Sequence, residues 1–198
     1  DFSQIKPKVG FMMNNYGRDL SKNLSRSLDK LIILPLLSAT ILGNYQLAFQ
    51  VLIVLTLIPT IVYQYVLPRQ ASGLQNKKIK GLAVVASIVI SFIVLFAAPI
   101  IIPTIFPKYE NVLDIIQIMS FAVIPMSITL MYTSKFLALE KSRHVIISAA
   151  IFLLVQIFGI IILGDKYGAV GLGVATLLAA ISEASYLSII NRVWYYSK

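Results

Sequence analysis

Six apolar runs, parted by short polar loops, constrain this chain more than any other feature. They fall at about residues 22–42, 45–67, 82–106, 112–137, 144–164 and 169–191. A bilayer core about 30 Å thick is crossed by ~20 helical residues. With 58% of the residues hydrophobic, far above an ordinary soluble domain, the runs predict an all-α integral membrane protein. The expected architecture is a bundle of six transmembrane helices. Residues 1–15 read as a polar lead-in or linker and residues 16–198 as the six-helix transmembrane lobe. Nearly the whole chain is then membrane, which leaves no room for a soluble catalytic domain, and no enzyme is expected. Cysteine is absent and His144 is the one histidine. Neither a thiolate nor a histidine-rich metal site can form, and no cofactor is expected. The chain starts at Asp1 and shows no signal-peptide pattern; it reads as part of something longer.

The net charge of +9 would suit a nucleic-acid partner, but its distribution argues against one. Lysine and arginine cluster in alternate loops. Lys6, Lys8, Arg18 and Lys22 precede the first run, and Arg69, Lys77, Lys78 and Lys80 follow the second. Lys141 and Arg143 follow the fourth, and Arg192 and Lys198 the sixth. The opposite loops hold Lys108, Lys166 or, at Gly43–Asn44, no charge. This is the positive-inside pattern. It predicts a multi-pass protein of the cell membrane with both ends of this segment in the cytoplasm and membrane lipids as its surroundings.

The first run breaks the apolar rule. Its uncharged part, Leu31 to Leu42, is only 12 residues, or ~18 Å of helix. To span a bilayer the helix must reach back to about Asn23, which draws in Arg26, Asp29 and Lys30, with Lys22 and Arg18 at the inner interface. Facing lipid, each charge would cost roughly 2.5–3.5 kcal/mol. A protein interior or a hydrated cavity is therefore expected on that side. Residues i and i+4 share a helix face, so Arg18, Lys22, Arg26 and Lys30 form a slow spiral with Asp29 inside its arc. Leu20, Leu24, Leu28 and Leu31 fall opposite.

Other features are less specific. Gly43-Asn44 reads as a helix stop. Pro35, Pro59, Pro99 and Pro125 remove backbone donors inside four of the runs. Gln50, Gln64, Gln117 and Gln156 suit interhelical hydrogen bonds. Tyr45, Tyr63, Tyr65, Tyr132 and Tyr167 lie near expected span ends, as interfacial aromatics do. Gly168, Gly171 and Gly173 lack the order and the preceding strand of a phosphate loop and read as sites of close helix packing.

Several stretches resemble the C-terminal half of flippases in the multidrug/oligosaccharidyl-lipid/polysaccharide exporter superfamily, above all its polysaccharide transporter branch, which includes O-antigen flippases. They are LDKLIILPLLSATILGNYQLAFQ, VLPRQASG, LFAAPIIIPTIFPKYENVLDIIQIMSFAVIP, FLALEKSRH and GDKYGAVGLGVATLLAAISE. Asp29-Lys30 stands where the family places a charged pair. Pro107-Lys108-Tyr109 replaces the family's Gly before a Tyr. The resemblance implies one lobe of a two-lobed transporter, with an N-terminal transmembrane lobe of the same protein as its missing partner. It implies alternating-access movement of a polyprenyl-(pyro)phosphate-linked oligosaccharide.

Such a substrate carries an anion that must leave water. Arg grips phosphate oxygens with a planar fork and Lys acts as a point charge. Arg26 and Lys30 are the foremost candidate contacts, with Lys22 and Arg18 as a vestibule and Asp29 as an orienting or ion-coupling group. The competing structural reading makes Arg18 and Lys22 interfacial anchors and pairs Arg26 with Asp29. Glu183 is intramembrane in either reading, as an ion-coupling site or as a buried partner of Lys30 or Lys135. Lys135 sits near a span end, from which it can snorkel to water. Alternatives of other kinds are a multidrug or organic-cation antiporter, a polyprenyl-lipid enzyme and a non-transporting membrane scaffold. Carboxylates suited to the first two are scarce here.

Overall fold

The computed structural model describes residues 9–74, 76–105 and 112–196. Within its helices, the side chains at 11, 14, 15, 19, 21–29 and 194–196 also lie outside the described residues. The same holds for Lys6, Lys8, Pro107, Lys108, Tyr109 and Lys198.

The described residues are mostly helical, with no strand among them. In order they are α1 (Val9–Leu36), α2 (Ala39–Leu55), α3 (Leu57–Ala71), α4 (Lys77–Ile105), α5 (Leu113–Phe121), α6 (Val123–Ala138), α7 (Ser142–Gly159), a π-helical turn (Ile160–Gly164) and α8 (Asp165–Tyr196). Three stretches are long and apolar enough to cross a membrane: Lys77–Ile105, Leu113–Ala138 and Ser142–Val193. The pair α2 and α3, bent by 43°, makes a fourth if counted as one span.

The stretch from Ser142 to Val193 covers 52 residues, ~78 Å if straight, and it folds back on itself. Gly168 takes φ 55° and ψ −131°, a conformation that glycine reaches without a Cβ penalty. From there α8 returns antiparallel along α7 and the π turn. Small residues set how close they come. A Cβ on Gly159 would stand 2.7 Å from the Ala175 Cβ, and one on Gly171 would overlap the Leu163 carbonyl. Of the three glycines 168, 171 and 173, the latter two thus serve packing and Gly168 makes the turn.

Two of the prolines mark the broken helices. Pro59 follows the α2–α3 break at Thr56, and Pro125 follows the α5–α6 break at Ala122, each three residues on. A proline cannot donate to the carbonyl four residues back and crowds it, so the helix yields just upstream. Pro99 and Pro103 sit inside an unbroken α4, and Pro35 lies in the last turn of α1.

The start of the bundle differs from the sequence expectation. The lead-in drawn at 1–15 is helical from Val9 and continuous with α1. The run 22–42 is divided: α1 stops at Leu36 and α2 begins at Ala39. Ser38 in extended conformation caps α2, its hydroxyl accepting from the Ile41 N–H at 3.2 Å. Gly43 and Asn44 lie within α2 instead of ending a helix. Tyr45 is consequently two turns inside α2 and 1% exposed, a core residue where an interfacial one was expected.

The main core joins Ile33, Tyr45, Leu52, Ile102, Val112, Ile115, Met119 and Leu172. Polar groups are knitted into it. Gln156 Nε2 donates to the Tyr45 hydroxyl (3.1 Å) and to Thr176 Oγ1 (3.2 Å). Ser91 Oγ donates to the Ser120 carbonyl at 2.7 Å, and Gln117 Nε2 to the Leu95 carbonyl at 3.0 Å. Gln117 and Gln156 are thus interhelical links, whereas Gln50 and Gln64 are exposed.

Candidate functional site

The alternate basic loops meet at one end of the bundle. Lys80 at the start of α4 donates to the Met131 carbonyl on α6 at 2.8 Å. Ser134 on α6 donates to Gln70 Oε1 on α3 at 2.8 Å, and Lys135 Nζ to Asn191 Oδ1 on α8 at 2.6 Å. His144 Nδ1 at the start of α7 lies 3.4 Å from the Tyr186 hydroxyl. The start of α1 joins them, for a Cβ on Gly17 would meet Ile146. At the other end Leu37 packs beside Gly164, and Ile41 beside Gly168. Matching Gly17 with Ile146 and Leu37 with Gly164 sets α1 parallel to α7.

Of the charged spiral on α1, Arg18 and Lys30 have described side chains. Arg18 is 8% exposed. Its guanidinium carbon lies 5.9 Å from the centre of the Tyr63 ring on α3, within cation–π range. Arg18 is thus packed inward against α3. Lys30 is exposed on the bundle surface. The side chains of Lys22, Arg26 and Asp29 lie outside the described residues, and only their place on the helix is given.

Glu183 on α8 is 7% exposed and accepts from Ser148 Oγ on α7 at 3.4 Å. Because α1 runs parallel to α7, Ser148 and Glu183 come level with the stretch of α1 just after Arg18. Lys30 lies ~16 Å further along that axis. Lys135 is level with Asn191, about two turns along α8 from Glu183. The fold therefore sets Glu183 level with the stretch of α1 that begins at Arg18. Asp114 is exposed in the first turn of α5, where a carboxylate complements the helix dipole.

Lys135 opens onto a cavity of about 850 Å³ between α3, α4, α6 and α8, also lined by Lys77, Lys80, Asn76 and Asn191. Reading the sequence alone missed this grouping. Lys77 and Lys80 look like topology signals there, and 55 residues or more of chain separate them from Lys135 and Asn191. No group of three or more metal-ligating side chains occurs among the described residues.

A family model described as "Polysaccharide biosynthesis protein" matches residues 1–112, the part of the chain that contains α1 to α4. No curated protein and no solved structure matches the chain. With more than half its length under that match and its helices of membrane-crossing length, the chain is a membrane protein that belongs to the polysaccharide biosynthesis protein family.

Proposed function

We propose that the chain is one six-span lobe of a flippase. It would move a polyprenyl-(pyro)phosphate-linked oligosaccharide from the inner to the outer leaflet of the cytoplasmic membrane. The six spans are α1, the broken pair α2–α3, α4, the broken pair α5–α6, α7 and α8. Both ends of the segment are cytoplasmic, a second lobe of the same protein closes the cavity, and transport proceeds by alternating access without covalent chemistry.

The observation that carries this reading is α1. It is a 28-residue helix packed along α7, with Arg18 drawn inward and Lys22, Arg26 and Lys30 following at one-turn intervals. Family membership supplies the chemical context, since polysaccharide precursors are built on lipid carriers whose phosphates need cationic partners when they leave water. Glu183, level with the start of that ladder, suits a role in holding or releasing the cations.

The test is binding of a polyprenyl-pyrophosphate oligosaccharide to the full-length protein in lipid nanodiscs, beside Arg26→Ala and Lys30→Ala. Losing a charge-assisted contact should weaken binding about ten-fold or more. Equal binding by all three proteins would reject the α1 site. A preference for hydrophobic organic cations would favour the exporter reading.

A further inference from the structure

The cavity at the basic end has a composition that the flippase reading does not use. Three lysines, Lys77, Lys80 and Lys135, line it, and Lys135 is near enough to the other two for mutual repulsion. No aspartate or glutamate is among its described lining residues. Hydrogen-bonding groups stand between the charges: Gln70, Asn76 and Asn191. Clustered lysines set among side-chain amides suit a multivalent oxyanion, and phosphate is the common one that lysines hold.

The setting narrows the choice. The cavity lies at the level of the basic loops, where headgroups of the positive leaflet side would be. Its α4 wall, at Gly81 and Val84, leads in one helical turn to a second, wholly apolar depression of about 550 Å³, lined by Ile88, Val89, Phe92, Ile93 and Phe96. At 100° per residue, Gly81, Ile88 and Phe92 fall within ~40° of each other on α4. A polar anion pocket thus runs into an apolar track on one helix. A soluble anion would need only the first; a phosphate on an acyl-bearing molecule uses both. Basic pockets between membrane helices are a recurring setting for anionic headgroups.

We infer that this cavity is a headgroup site for an anionic phospholipid whose acyl chain lies along the exposed apolar face of α4. The site is separate from the α1 ladder, and it stands whether or not the chain flips a lipid-linked sugar.

The experiment is native mass spectrometry of the full-length protein taken from nanodiscs of phosphatidylcholine mixed with phosphatidylglycerol. Phosphatidylglycerol should be retained in preference to phosphatidylcholine. Each of Lys77→Gln, Lys80→Gln and Lys135→Gln should lower that retention about five-fold, and Lys78→Gln, an exposed lysine outside the lining, should leave it unchanged. Lys77 is exposed whereas Lys135 bonds Asn191, so the Lys77 variant keeps the test readable if Lys135→Gln unfolds. Equal retention by parent and lining variants overturns the site. An equal fall with Lys78→Gln assigns the effect to general surface charge and overturns it too. Inorganic phosphate displacing the lipid at equal concentration would make this a soluble-anion site and overturn the lipid assignment.

Discussion

The side-chain amide of Gln156 reaches across the core to the hydroxyl of Tyr45, 3.1 Å away, and so fastens α7 to α2. Thr176 on α8 completes the group, accepting from the same amide and donating to the Leu172 carbonyl at 3.1 Å. Interhelical hydrogen bonds in membranes contribute ~0.6 kcal/mol on average and up to ~1.7 kcal/mol. Tyr45→Phe should therefore destabilise the fold by ~0.5–1.5 kcal/mol. Thermal unfolding in detergent beside the parent measures this, and an unchanged midpoint would mean that the triad contributes nothing.

Gly171 and Gly43 should respond to alanine with opposite signs. A methyl on Gly171 overlaps the backbone carbonyl of Leu163, which cannot rotate away. Gly171→Ala should cost ~3 kcal/mol, the upper range for overpacking, and lower the yield of monodisperse protein. Gly43 sits inside α2, and a methyl added there would have nothing within 4 Å. There the alanine should stabilise by ~0.5–1 kcal/mol. Size-exclusion profiles and melting midpoints of the two variants decide the point.

Ser38 is the hinge of the unexpected break between α1 and α2. Its hydroxyl satisfies the Ile41 N–H, one of the orphan donors at a helix start. Ser38→Ala should cost ~1 kcal/mol, and Ser38→Asp should restore most of it. If the aspartate fails to rescue the melting midpoint, the residue is acting through packing instead of capping.

Glu140 carries the one positive φ among the described non-glycine residues, 56°. It ends α6 in a Schellman turn: its N–H bonds the Leu137 carbonyl at 3.0 Å, and the Lys141 N–H bonds that of Phe136 at 2.8 Å. Glycine is the usual residue at this position because a Cβ there costs ~1 kcal/mol or more. Glu140→Gly should raise stability by about 1 kcal/mol, read from the melting midpoint, with the basic end unchanged.

Periodic and compositional signals in the sequence survived into the structure; signals that depend on partners did not. Alternate basic loops predict that residues near 18, 70, 80, 135 and 144 lie at one end, and the contacts Lys80–Met131, Lys135–Asn191 and Gly17–Ile146 place them there. Glycines 168, 171 and 173 read as packing sites, and Gly171 against Leu163 is one. Gly43-Asn44 looks like the first stop, while the cap that wins is a lone Ser38 whose worth depends on α1 having already ended. Tyr45 looks interfacial for the same reason, while the core partner of its hydroxyl, Gln156, lies more than a hundred residues away. The lysine cavity was illegible for the same reason. Lys77 and Lys80 become neighbours of Lys135 only when α4 packs on α6.

The close seam between α7 and α8 has a mechanical consequence. With Gly159 on Ala175 and Gly171 on the Leu163 carbonyl, the two backbones nearly touch, and little free volume remains for sliding between them. This pair behaves as a stiff strut. The joints at Thr56, ahead of Pro59, and at Ala122, ahead of Pro125, are by contrast already broken. Any change of shape in this bundle is most cheaply taken up as flexing of those two joints against the strut.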